Sequence, residues 1–301
     1  PFLEKYVAER GKNWRNWVLK ETKGWLKRGL KPRPITRDIE WGVEIPIKEI
    51  PDDLKIKDTD RKRIYVWFEN IIGYFSASIE WANNSDKWKE WWYAPPTGGG
   101  AEHAYFMGKD NLVFHTLFWP GELHVYDEKL HLPDFPVINQ FLNLEGQKFS
   151  KSRGVTIDSR YIAETYGLDA VRFYLTMILP ETADANFDWA DFVGKTNSVL
   201  VGNLGNFLNR TLTLGRDLDF SVAEVDQGVK KKTLSFTHDA KDALESYKFK
   251  KYAETVLALS DFGNKFLSKE EPWFLREIDE TKFKEVIGNA LYIALGLFLL
   301  I

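Results

Sequence analysis

Apolar and polar positions alternate with two different periods along this chain, and the change of period divides it. Between residues 13 and 30, Trp14, Trp17, Val18, Trp25 and Leu26 recur at helical spacing, with Gly29 as the stop. Pro32 and Pro34 break that helix, and residues 34–43 read as an extended connection. Residues 62–68, β-branched and aromatic, predict a buried strand that ends near Trp67, with a helix over 72–81. Residues 104–108 predict a second strand, and residues 112–119 a helix that Pro120 stops. A further strand-like run covers 140–144. Strand, polar strand end and helix form the repeat of a doubly wound α/β sheet, in which ligands sit at strand C-termini. Past residue 188 the strand pattern stops. Asp158-Ser159 caps a helix that ends at Gly167, a second runs over 169–179 to Pro180, and Asp188 caps a long one over 189–212. The remainder is helical, with breaks expected at 235–239 and 270–272, so an all-α region follows the α/β one.

Composition narrows the function classes. At 301 residues and 35.0 kDa the chain has room for roughly two domains. A net charge of −3 and a pI near 6.1 give no global footprint for nucleic acid, so any RNA contact must use local patches and base stacking. The absence of cysteine excludes disulfides and thiolate metal sites within this sequence. Pro1-Phe2-Leu3-Glu4 is no secretory signal, and the apolar run at 290–301 is too short to span a bilayer. Both ends read as cuts, which leads us to expect an internal fragment.

Five stretches carry candidate chemistry. Glu145-Gly146 reads as a hairpin turn that opens into Gln147-Lys148-Phe149-Ser150-Lys151-Ser152-Arg153-Gly154, a loop of cations and small hydroxyls suited to a polyanion. Trp67 and Tyr74 can face one pocket, although taken alone they read first as core packing. Gly108 allows close ligand approach, Asp110 can accept from a ribose hydroxyl or an ammonium, and His115 lies five residues further on. Asn206 and Arg210 are i and i+4 beside a stripe of Leu200, Leu204, Phe207 and Leu208, and can read base edges. Trp273, fixed by Pro272, is a possible stacking platform. Thr97-Gly98-Gly99-Gly100 is no phosphate loop, because no Gly-Lys-Ser/Thr follows; it reads as a surface loop.

Lys148 to Ser152 resembles the Lys-Met-Ser-Lys-Ser loop of class I aminoacyl-tRNA synthetases, with Phe149 in place of Met at a position expected to pack inward. Taken in order with residues 34–43, Trp67/Tyr74, Gly108/Asp110/His115, Asn206/Arg210 and Trp273, the likeness is to methionyl-tRNA synthetases of the archaeal-type branch. The resemblance implies the C-terminal half of a Rossmann-like catalytic domain followed by an all-α anticodon-binding helix bundle. Residues 1–61 would be the end of a connective insertion, 62–144 the second half of the catalytic domain, 145–187 the signature-loop subdomain and 188–301 the anticodon-binding domain. Trp67, Tyr74, Asp110, Phe114 and His115 would bind methionine. Gly108, Asp110 and Lys151 would bind ATP, with Lys148, Ser150, Lys151 and Ser152 catalytic, and Asn206, Arg210 and Trp273 would read the CAU anticodon. The same resemblance implies ATP with Mg2+ as substrate, zinc only in a part outside this sequence, tRNA(Met) and L-methionine as partners, no membrane, and a cytoplasmic location. This chain alone is expected to be inactive. Rival readings are a synthetase for leucine, isoleucine, valine or cysteine, a non-catalytic tRNA-binding paralogue, and a module for another nucleotide.

Overall fold

A computed structural model describes residues 1–55, 58–93, 100–219 and 224–301. Residues 97–99 of the glycine-rich stretch lie outside the described residues. The chain parts into two units, Pro1–Asn139 and Gln140–Ile301.

In the first unit, helices α1 (Phe2–Arg10) and α2 (Asn16–Arg28) bury Tyr6, Val7, Trp14 and Val18 against Leu112 and Ile138. Gly29, at φ 80°, ends α2 as its position suggests, since only glycine takes that conformation without strain. Strands β1 (Thr36–Arg37) and β2 (Arg63–Ile64) pair antiparallel. The long buried strand expected over 62–68 is not formed. Pairing stops at Tyr65, whose amide donates to the Ile35 carbonyl at 2.8 Å; helix α3 (Val66–Glu69) then begins, which places Trp67 on a helix, 43% exposed. A run of β-branched and aromatic residues suits either state, and the neighbours of β2, the two-residue β1 and the single bridge from Glu44 to Arg63, are too short to hold the rest of it extended. Helices α4 (Gly73–Trp81) and α5 (Lys89–Trp92) follow.

Strand β3 (Ala104–Gly108) runs parallel to β4 (Phe135–Asn139), in register from Ala104 opposite Phe135 to Gly108 opposite Asn139. The connection is helical: Phe114–Phe118 is wound as π-helix and continues into α6 (Trp119–Tyr126). Pro120 therefore does not stop the helix. It stands where the π-wound turn passes into α6, so the i→i−4 ladder is already interrupted at the point where its N–H is missing. Asp134, at the head of β4, ties these elements together. Its carboxylate accepts from Arg10, from His131 Nε2 at 2.6 Å and from the His103 amide at 2.9 Å, while Trp14 Nε1 donates to its main-chain oxygen at 2.8 Å.

In the second unit, β5 (Leu142–Leu144) pairs antiparallel with β6 (Gln147–Lys148) through a turn at Glu145 and Gly146, both at positive φ (48° and 74°). Helices α7 (Ser159–Tyr166) and α8 (Leu168–Met177) pack Ile162, Val171 and Tyr174 on Leu144, Phe187 and Phe192. Asp158 caps α7, as expected. Strand β7 (Ala185–Phe187), unforeseen in the sequence, runs parallel to β5. Asp188 caps α9 (Trp189–Lys195), which continues through a π-wound stretch, Thr196–Gly205, into α10 (Asn206–Gly215). Helices α11 (Gln227–Glu245), α12 (Phe249–Glu270), α13 (Pro272–Ile278) and α14 (Glu280–Phe298) complete a bundle whose core includes Phe207, Leu259, Leu267, Ile287 and Ile293. The break expected at 235–239 is absent. Thr237 donates to the Leu234 carbonyl within the helix, and buried Thr233 and Ala240 hold α11 to the bundle across that stretch. The break at 270–272 is present, with Glu271 left-handed at φ 45°.

Candidate functional site

In the first unit, Trp67, placed on a helix and not at the strand end expected, comes together with Phe114, and Tyr74 with His115. Trp67 stacks on Phe114, with ring centroids 5.4 Å apart and planes 24° apart. Tyr74 meets His115 and the buried Tyr105 edge-on, and Trp119 Nε1 donates to the Tyr105 hydroxyl at 3.0 Å. Tyr105 and Trp119 were not singled out in the sequence, where one reads as an ordinary strand residue and the other as a helix-end aromatic. They form the rigid floor on which Tyr74 rests, and burial pushes the Tyr105 phenol up to about 12.

The hydrogen bonds fix the state of His115. Its Nδ1 lies 3.1 Å from the Asn111 carbonyl oxygen, which only accepts, so Nδ1 carries the proton. Burial holds the imidazole pKa below 6.5 and keeps the ring neutral. Nε2 is then a lone pair, and the Tyr74 hydroxyl donates to it at 3.0 Å. The resulting cluster presents aromatic rings, no formal charge and one committed hydroxyl. Such a surface suits a polarisable, weakly accepting group and gives nothing back for the desolvation of a charged one. Gly108 closes β3, and the exposed Asp110 follows it, its Oδ1 accepting from Asn111 Nδ2 at 3.3 Å. Asp110 and Gly108 thus adjoin the residue whose carbonyl orients His115.

The basic loop belongs to the second unit and extends the β5–β6 hairpin. The Ser150 amide donates to Val155 O at 2.9 Å and the Val155 amide returns the bond at 3.0 Å. Gly154, at φ 71°, makes the turn between them. Ser150 and Ser152 hydroxyls are 3.2 Å apart, and the Lys148 ammonium stands 5.1 Å from the Phe141 ring. Lys151 is exposed and has no ion pair among the described residues, so its charge remains available. Phe149, expected to pack inward, is 36% exposed instead, immediately after the edge strand β6.

On the bundle, Asn206 and Arg210 lie one turn apart on α10, and the Arg210 guanidinium stands 5.1 Å from the Trp273 ring on α13. Arg210 and Trp273 are thus in contact, with Asn206 one turn away on the same helix. Phe207, Leu204 and Leu208 face the bundle core, as the stripe requires, but Leu200 packs with the α7–α8 core. Among the described residues no group of three or more His, Asp or Glu is placed to hold a metal ion, and no helix is long and apolar enough to cross a membrane.

A family model described as "tRNA synthetases class I (M)" matches residues 1–212. The chain belongs to this class I tRNA synthetase family. Methionine–tRNA ligase from Roseiflexus sp. (strain RS-1) is 42% identical over 288 residues, covering 92% of this chain and 47% of the relative. The corresponding ligase of Thermobifida fusca (strain YX) is 36% identical, covering 96% and 49%. This class I synthetase chain thus spans about half the length of the curated relatives it matches. The fold resembles that of Mycobacterium tuberculosis methionyl-tRNA synthetase solved with methionyl-adenylate, with a TM-score of 0.78 at 23% identity over 99% of this chain and 58% of that one. The mixed α/β architecture with a C-terminal helical region is therefore that of a class I synthetase.

Proposed function

We propose that the protein carrying this sequence is a methionine–tRNA ligase. It would condense methionine with ATP, accompanied by Mg2+, to methionyl-adenylate, and pass the methionyl group to tRNA(Met). The observation that carries the reading is the neutral aromatic cluster built by Trp67, Tyr74, Phe114 and His115. A thioether offers polarisability and weak acceptance, which ring faces and edges satisfy without a charged partner. Asp110, exposed at the end of β3, would take the amino acid ammonium or a ribose hydroxyl, and Gly108 leaves room for the nucleotide.

In the first step a methionine carboxylate oxygen forms a bond to the α-phosphorus, and the bond from that phosphorus to the bridging oxygen breaks. Pyrophosphate leaves with the electron pair. Lys151, with Lys148, Ser150 and Ser152, would meet the charge that develops on it, a role of position and electrostatics without a covalent enzyme intermediate. Asn206, Arg210 and Trp273 would bind the CAU anticodon, the Trp ring stacking on a base and the two polar side chains reading base edges. We assign residues 1–61 to the end of a connective insertion, 62–144 to the catalytic sheet, 145–187 to the signature-loop subdomain and 188–301 to anticodon binding. We place the protein in the cytoplasm and assign zinc to a part of it outside this sequence. The test is exchange of labelled pyrophosphate into ATP by the full-length protein. Methionine is expected to drive exchange, with leucine, isoleucine, valine and cysteine at least about tenfold less effective per unit kcat/KM. Exchange driven best by one of those four would refute the assignment.

A further inference from the structure

The crossing of α10 and α12 carries a polar cluster beside the proposed anticodon residues. The crossing is close because residue 263 is glycine: a Cβ there would stand 2.4 Å from two ring atoms of the fully buried Phe207. The next residue, Asn264, is thereby brought against the π-wound stretch that leads into α10. Its Nδ2 lies 2.9 Å from the Asn203 main-chain oxygen, 2.9 Å from Asn203 Oδ1 and 3.3 Å from the Ser260 main-chain oxygen. Main-chain carbonyls only accept, so the amino end of Asn264 must face them; reversed, it would set oxygen against oxygen. Buried Ser260 donates to Asn203 Oδ1 at 2.9 Å and holds that amide in the matching sense. The Asn264 Oδ1 therefore points the other way, where Asn206 Nδ2 donates to it at 3.1 Å. The sense of the exposed Asn206 amide follows: its amino group is turned to the protein and its oxygen is left for a ligand.

We infer that Asn264 is a positioning residue for base recognition, fixing the Asn206 amide so that Oδ1 is offered to the exocyclic amino group of an unstacked base. This rests on the anticodon reading above. Cytosine and adenine carry such an amine; uracil and hypoxanthine carry a carbonyl in its place, which would face the Asn206 oxygen and be rejected. An amide free to turn over would accept either.

The test is binding of RNA stem-loops with anticodons CAU, UAU and CIU (I, inosine) to the 301-residue chain, read by fluorescence anisotropy. For the wild type, exchanging amine for carbonyl at the base that faces Asn206 is expected to weaken binding on the order of tenfold. Asn264→Leu should reduce that penalty below about threefold. Adding Asn206→Asp to Asn264→Leu should restore the penalty, because a carboxylate presents oxygen whichever way it turns; the ratio between stem-loops is read, so the added charge cancels. A full penalty in Asn264→Leu, or a double variant that stays indiscriminate, overturns the inference while leaving the anticodon reading standing. A wild type indifferent to both exchanges overturns the two together.

Discussion

Gly263→Ala should destabilise the bundle, although alanine is the better helix former. In an exposed helix interior this change would stabilise by about 0.5–1 kcal/mol, because glycine loses more backbone freedom on folding. Here the new methyl would meet three Phe207 ring atoms at 2.4, 2.4 and 2.7 Å. Carbon–carbon contact is comfortable at about 3.5–4.0 Å, so α12 must retreat from α10 by roughly 1 Å or the ring must turn. The ring has nowhere to go, since Phe207 is 0% exposed and shares its core with Leu259, Leu267 and Ile287. Overpacking of this kind costs about 1–3 kcal/mol, which exceeds the gain in propensity. Urea unfolding followed by far-UV circular dichroism should show a net loss of about 1–2 kcal/mol. In the Phe207→Leu background the loss should shrink, giving a coupling energy of at least about 0.5 kcal/mol. A Gly263→Ala chain as stable as the wild type would mean that the helices do not cross closely there, and the placement of Asn264 would fall with it.

Three further outcomes follow from the same geometry. Tyr74→Phe removes the donor to a buried Nε2 and should cost about 1–3 kcal/mol in unfolding free energy, while His115→Ala/Tyr74→Phe should cost less than the sum of its parts. Glu122, whose two carboxylate oxygens are buried without a partner, has its carboxyl pushed up from 4.5 to about 7 by burial. Its folded form holds the proton more tightly than the unfolded one, so its penalty is absent below pH 4.5 and grows as pH rises through about 7. His115 and His103, held below 6.5 by burial, act in the opposite sense, and stability is lost as pH falls below 6.5 because the unfolded chain takes up protons first. Glu122→Gln should therefore raise the denaturation midpoint at pH 8 and leave it unchanged at pH 4; an equal rise at both would refute the titration account. Lys151→Ala should lower pyrophosphate exchange on the order of 100–1,000-fold in kcat, and an effect confined to KM would contradict its role on the leaving group.

Much of the local order was legible because it rests on short-range signals. Asp158 and Asp188 do cap helices, Gly29 and Gly167 end them, and Glu145-Gly146 makes its turn. What escaped depended on partners distant in sequence. Residues 62–68 have strand-like side chains but find extended partners only over 63–65, and Pro120 is accommodated where the π-wound Phe114–Phe118 passes into α6. Strand β7 is three residues long and is held by β5, some forty residues earlier. The same division runs through the candidate sites. Trp67, Tyr74, Asp110 and His115 stand out by residue type at strand and helix ends, whereas Tyr105, Trp119 and Asn264 act through side chains that only tertiary packing brings near. Asp134 is a further case, a buried carboxylate that gathers three donors from separate segments and that no motif announces.

In the proposed enzyme the Trp67/Phe114 pair and the Tyr74–His115 pair hold the methionine side chain. This assignment is tested most directly by the ratio of kcat/KM for methionine over leucine in pyrophosphate exchange, measured for the full-length protein and its Trp67→Ala variant. The variant is expected to raise KM for methionine and to lower the ratio by at least about tenfold, since one aromatic face of the cluster is gone. A ratio unchanged by Trp67→Ala, in a protein that still folds and exchanges, would place the methionine side chain elsewhere.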